Sequence, residues 1–231
     1  MDFDKTPPVP VADYRTFQNI VPGIAALYEN IDAILRHSLP DHAEILVVGA
    51  GGGRELETLL ASPGAFSLTG VDPSQAMLDL ARDHLPAGSA DRVSLIKGYV
   101  DDVPADRQFA AATSVLVMHF LPDDGAKAAY LSAIRARLPA GAPYIHVDVS
   151  IESDLEADNI APVFRQRGAI LGLPEDVATR PADFARAMRS PIEKRVVDPA
   201  RNRTLLHDAG FEVISPFFRS LWFTGWWARA V

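Results

Sequence analysis

The stretch EILVVGAGGGREL, Glu44 to Leu56, decides the fold. Ile45, Leu46, Val47 and Val48 run on without polar alternation, the pattern of a strand covered on both faces in a parallel sheet. Gly49, Gly51 and Gly53 follow at a spacing of two, where the chain turns tightly and a ligand can approach backbone that a β-carbon would block. Arg54, Glu55 and Leu56 then open a helix. One element later LTGVDPSQAML, Leu68 to Leu78, reads as a second strand ending on the acid Asp72. Alone, the glycines could be only a turn and the acid only the neighbour of a helix start. In this order they predict a nucleotide-shaped pocket.

A dinucleotide fingerprint places its third glycine three residues after its second, and Arg54 stands there. Pyrophosphate binding is disfavoured. The GxGxG spacing with a strand-end acid about twenty residues on resembles the first motif and partner acid of class I methyltransferases that use S-adenosylmethionine. The resemblance implies that the loop, with Gly49, Ala50, Gly51 and Gly53, packs on the methionine and ribose portions of the cofactor. It also implies that Asp72, with Pro73 beside it, takes both ribose hydroxyls, a task suited to an acceptor-only carboxylate.

Composition narrows the setting. The chain of 231 residues with 48% apolar content suffices for one large α/β domain. No apolar run is long enough to span a bilayer, and MDFDKTPPVP lacks the order of a signal peptide, so a cytoplasmic enzyme is expected. Zero cysteines exclude disulfides and thiolate chemistry, and no His and acid spacing suggests a metal site. A net charge of -8 argues against nucleic acid as the main partner. Basic residues nevertheless collect between Arg165 and Arg203, as solvated helix faces or as a lid arginine that pairs with an anionic small-molecule acceptor.

Outward from the glycine loop, strands are expected near 44–49, 66–72, 92–97, 109–116 and 142–149, with helices near 53–61, 74–85 and 124–138. Crossovers of that length force parallel pairing. Residues 1–13 read as an extended arm, and 14–39 as two helices divided at Pro22-Gly23, together an N-terminal region over 1–43. Residues 151–198 break the rhythm and read as a lid-like helical insertion, too long for a loop. A helix at 199–209 leads to FEVISPFFRS and LWFTGWWARAV, which must pair antiparallel because almost nothing separates them. The expectation is one domain: a Rossmann-like, seven-stranded, mostly parallel sheet with an antiparallel terminal strand and helices on both faces.

That ending, after Ala209-Gly210-Phe211, also resembles the class I methyltransferases. In arrangement, VPGI at 21–24, HFLPDD at 119–124 and the final WFTGWWARAV look most like enzymes that make carboxy-S-adenosylmethionine. In that group a tyrosine and an arginine serve the extra carboxylate. Here Ile24 and Leu205 hold those positions, and neither can bind an anion. The ordinary donor is expected, with S-adenosylhomocysteine as product.

The family's third motif carries an acid for the adenine amine, and the matching position is Tyr99. The Val100 backbone and Asp101 are the substitute candidates for adenine, while Asp102 reads as a turn cap. Val115 and Leu116, ending the fourth strand, would line the methionine part. His119 just beyond is a candidate general base, since an imidazole has a reference pKa near 6.5, or it packs beneath the next helix. Tyr14 is a second catalytic candidate; His146 and Asp148 are further ones, each readable as structural. Trp222, Trp226, Trp227, Phe217, Phe218 and Phe223 are expected in the core, or on a homodimer surface if exposed. The leading expectation is methyl transfer to a small molecule. A reductase using a nicotinamide cofactor and a non-catalytic cofactor-binding protein are the rivals.

Overall fold

The computed structural model describes residues 10–61, 66–175, 178–179 and 195–231. Residues 1–9 of the expected arm, and Arg180, Arg186, Arg189 and Lys194 of the insertion, lie outside the described residues. Val11–Asp13 form a single 3-10 turn where extended chain was expected.

Among the described residues seven strands form one sheet: β1 Glu44–Val48, β2 Ser67–Asp72, β3 Val93–Lys97, β4 Ala111–Val115, β5 Pro143–Val149, β6 Phe211–Ser220 and β7 Phe223–Ala230. Their order is β3-β2-β1-β4-β5-β7-β6. The first five pair in parallel, with Val47 opposite Gly70 on one side and Thr113 on the other. β7 runs antiparallel to both β5 and β6. The expected sheet is therefore the observed one, with strand ends shifted by a few residues at most.

Among the described residues seven helices surround it: α1 Tyr14–Gln18, α2 Ile24–Ser38, α3 Arg54–Ala61, α4 Gln75–Asp83, α5 Ala126–Arg135, α6 Asp154–Ile170 and α7 Pro199–Asp208. Gly23, at φ 75°, makes the break between α1 and α2 that Pro22-Gly23 predicted. β1 shows why its apolar run is unbroken. Ile45 and Val47 enter one core with Leu27, Ile31, Leu56 and Leu78, while Leu46 and Val48 enter a second core with Leu131, Ile134 and Leu206. Helices α2, α3 and α4 cover the first face, and α5 and α7 the second. Each fully buried Leu or Ile contributes about 1.5–3 kcal/mol of burial.

The terminal aromatics are mostly core. Trp222 and Trp226 are buried, and Trp222 stacks on Phe164 of α6 with ring centroids 4.5 Å apart. Helix α6 thus docks on the β6–β7 end, and Arg167 from it donates to the Ile20 carbonyl at 3.0 Å. This fastens the described part of the insertion to the turn between α1 and α2.

Candidate active site

The strand order reverses direction between β1 and β4, which opens a crevice at the C-terminal ends of the parallel strands. A cavity of about 880 Å³ occupies it. Its floor comes from Gly49, Gly51 and Asp72, and its far walls from the N-terminal helices and the β6–β7 turn.

Asp72 is buried, and its carboxylate closes the gap between two loops. Oδ2 accepts from the Gly51 N–H and Oδ1 from the Ser74 N–H, both at 2.9 Å. Ser74, not Asp72, is the N-cap of α4, its hydroxyl accepting from the Met77 N–H. The helix start therefore does not account for the acid. These two bonds orient the carboxylate. Gly49 has φ 73°, and a β-carbon there would lie 2.2 Å from Val117 Cγ2. The loop is kept bare by contact with the chain after β4.

Of the expected cofactor contacts, Gly49, Gly51, Asp72, Pro73, Tyr99, Val100, Asp101, Val115 and Leu116 line this cavity. Ala50 and Gly53 do not. Ala50 is buried in the first core, and a β-carbon at Gly53, φ 79°, would sit 2.7 Å from Ala81 Cα. The third glycine allows the close approach of α3 and α4. Asp102 caps its turn as expected, accepting from the Tyr99 N–H at 2.8 Å. Leu116, at φ 60°, holds a left-handed conformation rare for such a residue, with its N–H on the Val147 carbonyl at 2.8 Å.

The structure brings together His119 and Asp148, which sequence reading had treated singly. His119 follows β4 on a 3-10 turn, Met118–Phe120, and its Nδ1 lies 2.5 Å from Asp148 Oδ1 on β5. Asp148 Oδ1 also accepts from the Val149 N–H at 2.8 Å. Burial alone would raise the Asp148 carboxyl, but the His119 charge and hydrogen bond, then His146 and Lys127, hold it below the ordinary value. An ionised carboxylate can only accept, so His119 Nδ1 donates to Asp148. Lys127 of α5 steadies the turn by donating to the Met118 carbonyl at 2.7 Å. Arg195 donates to the Phe120 carbonyl.

His146, two residues before Asp148 on the same strand face, lies outside the cavity lining. It stacks on Trp226, and burial lowers its pKa to about 4. Tyr14 lines the cavity above the glycine loop. A β-carbon on Gly51 would meet its hydroxyl at 3.2 Å. Burial of the phenol, then the Asp72 charge, raise its pKa to about 12, against the pull of a Gln18 hydrogen bond. Tyr14 stays protonated and can donate a hydrogen bond but not act as a base at neutral pH.

Sequence reading missed most of the far wall: Phe17, Ile20, Val21, Phe120, Trp222 and Phe223. Ile24 and Leu205 are buried core residues outside the cavity lining. Glu55, in the first turn of α3, is also buried, and desolvation raises its pKa to about 7, the nearby Thr113 hydroxyl offsetting part of this. Neither Glu55 Oε1 nor Thr113 Oγ1 has a hydrogen-bond partner in the protein, so the hydroxyl acts through proximity. Among the described residues no group of His and acids is arranged to hold a metal ion, and no helix is long and apolar enough to cross a membrane.

Residues 45–141 match the family model of a methyltransferase domain. The chain has the Rossmann-like methyltransferase fold. The matched segment spans β1 from Ile45, the glycine loop, Asp72, His119 and α5, which include the cavity floor, while the far walls lie outside it. A SAM-dependent methyltransferase from Aquifex aeolicus is 15% identical, with 96% of this chain and 100% of that one covered and a TM-score of 0.62. An O-methyltransferase family 2 protein from Planctomyces limnophilus, in complex with apigenin, is 16% identical over 94% of this chain and 61% of its own, TM-score 0.60. DhpI, in complex with S-adenosylhomocysteine (SAH), is 16% identical over 95% and 92%, TM-score 0.58. No curated protein sequence matches the chain. The neighbours show the fold, and the domain match is the one that points to S-adenosylmethionine as cofactor.

Proposed function

We propose that the protein transfers a methyl group from S-adenosylmethionine to a small-molecule acceptor bound in the same cavity. The observation that carries this reading is Asp72: a buried carboxylate at the end of β2, tied to the glycine loop through the Gly51 N–H, and placed on the cavity floor. Asp72 would accept from the ribose hydroxyls. Bare backbone at Gly49 and Gly51, with Val115 and the strained Leu116, would hold the methionine part, and Tyr99, Val100 and Asp101 the adenine. Tyr14 would donate a hydrogen bond from above. Ile24 and Leu205, packed in the core, favour the ordinary donor over a carboxylated one.

The donor supplies an activated methyl group. The chain supplies alignment, and a well-oriented intramolecular arrangement can lower a barrier by about 7–11 kcal/mol. Helix α1, whose Tyr14, Phe17 and Gln18 line the cavity, would cover the acceptor and keep out water.

Thermal unfolding tests the donor. At a hundredfold excess over its dissociation constant a ligand adds about 2.7 kcal/mol, and at this chain length that raises Tm by roughly 5–10 °C. S-adenosylmethionine and S-adenosylhomocysteine should both do so. Stabilisation by NAD in their place would overturn the reading.

A further inference from the structure

Behind the glycine loop lies a buried acid that the methyl-donor reading leaves unused. Glu55 stands in the first turn of α3, two residues after Gly53, and is only 5% exposed. Its Oε1 has no hydrogen-bond partner in the protein, and neither has Oγ1 of Thr113, which lies two residues before Val115 on β4. The two arginines of this corner turn to other groups: Arg54 donates to Asn19 at 2.8 Å, and Arg15 to Glu57 at 2.6 Å. Desolvation therefore governs the carboxyl and raises its pKa to about 7, the Thr113 hydroxyl offsetting only part of this. An acid poised between its two forms is tipped by any charge brought near it.

The cavity adjoins this acid. Tyr28 from α2 and Tyr130 from α5 both line it, and burial first, then the Glu55 charge among others, keeps their phenols protonated. S-adenosylmethionine would bring a sulfonium cation here, where S-adenosylhomocysteine has a neutral thioether. We propose that Glu55 lets the site read that charge: its buried carboxylate favours the methylated donor over the product, releasing a proton as the donor binds and regaining one when methyl transfer removes the charge. This rests on the reading of the cavity as a methyl-donor site. Glu55 itself does not line the cavity. Contact is not required, because charges separated by protein rather than water are weakly screened.

A cation favours the ionised carboxyl, so Glu55 should titrate lower with S-adenosylmethionine bound than with S-adenosylhomocysteine. A nearby opposite charge lowers a carboxyl by about 1–3 units, and the low end suits a charge held off by the glycine loop. A drop of about one unit from about 7 raises the ionised fraction at pH 7 from about one half to about nine tenths, a release of roughly 0.4 proton. Affinity for the methylated donor, relative to the product, then rises about fivefold from pH 6 to pH 8. The ionisable groups facing Glu55 are Tyr28 and Tyr130, with Tyr14 of α1 beyond Tyr28, and all three phenols are raised by burial and uncharged throughout this range. His119 also lines the cavity and meets the same sulfonium, so a Glu55 variant is needed to separate the two.

Calorimetric titration of the full-length protein with each nucleoside, in phosphate and in Tris at pH 6, 7 and 8, counts protons from the buffer dependence of the heat. Wild type should release about 0.4 proton more with S-adenosylmethionine than with S-adenosylhomocysteine at pH 7 and show the fivefold change in affinity ratio. Glu55→Gln should lose both. Equal proton release with the two ligands would overturn the proposal, and so would a difference that survives in Glu55→Gln, which would move the effect to His119. If the variant does not fold, the ¹³C signal of the Glu55 carboxyl in wild-type protein decides: a midpoint about one unit lower in the S-adenosylmethionine complex bears the proposal out, and identical midpoints overturn it. Failure of both nucleosides to bind the wild type would instead overturn the donor reading.

Discussion

Replacing Glu55 by glutamine should make the protein more stable at alkaline pH and leave it unchanged in mild acid. Glu55 is buried in the first turn of α3 behind the glycine loop, and desolvation raises its pKa from 4.5 to about 7. Below pH 4.5 both the folded and unfolded chains carry the proton, so nothing is lost. Between 4.5 and 7 the unfolded chain releases its proton first, the folded state holds more, and stability falls as pH rises. A gap of 2.5 units corresponds to a total of about 3 kcal/mol, at 1.36 kcal/mol for each unit. His146 hides this in the native protein. Its pKa is lowered by burial from 6.5 to about 4, so the unfolded chain takes up the proton first as pH falls and stability drops toward acid over nearly the same interval. The two slopes oppose each other, and the wild-type profile should be shallow. Urea unfolding of wild type and Glu55→Gln from pH 5 to 8 separates them, because His146 cancels in the difference. The variant should gain about 3 kcal/mol by pH 8, most of it acquired below pH 7. A difference that stays constant across the range would refute the argument.

Asp72→Ala should weaken S-adenosylmethionine binding by about 10- to 100-fold, since hydrogen bonds to a charged acceptor are worth about 1.5–3 kcal/mol; undiminished affinity in calorimetry would remove Asp72 from the donor site. Asp148→Asn keeps the shape of the pair but not its charge, so kcat on a hydroxylated acceptor should fall by about 10²-fold or more with donor KM little changed. Steady-state kinetics reads that split, and unaltered kcat would make Asp148 a packing residue only. Gly53→Ala places a methyl against Ala81 at positive φ, where the left-handed backbone alone costs about 1–2 kcal/mol. Thermal unfolding should show Tm lowered by roughly 5 °C or more, and an unchanged Tm would mean α3 and α4 give way freely.

The proposed donor half of the cavity was legible as a loop and acid at one sheet edge because it is written in local pattern. A doubly buried strand shows as an unbroken apolar run, a turn against backbone needs glycine, and an acid ending the next strand stands at the same sheet edge. The far wall of the cavity is assembled from Phe17, Phe120 and Trp222, which are far apart in sequence and each readable as ordinary core. The His119 and Asp148 pair meets across 29 residues, and only tertiary structure shows that the two share a hydrogen bond. A weaker signal did exist: YIHVDV places two ionisable residues on one face of a strand whose every residue is buried, and such groups require partners. Gly53 shows the limit of local spacing, because a glycine needed for helix packing and one needed for a ligand look alike in sequence. Leu116 carries no glycine to mark its positive φ, so its strain was invisible until the chain was folded.

A structure of the protein crystallised with S-adenosylhomocysteine tests the central claim most directly, through the distances from the ribose hydroxyls to Asp72. Both hydroxyls should lie within about 3 Å of the Asp72 carboxylate oxygens, with the Gly51 bond intact, the sulfur facing the cavity half that holds His119, and His119 Nδ1 still on Asp148. A ribose bound away from Asp72, or a nucleoside lying outside this cavity, would contradict the account.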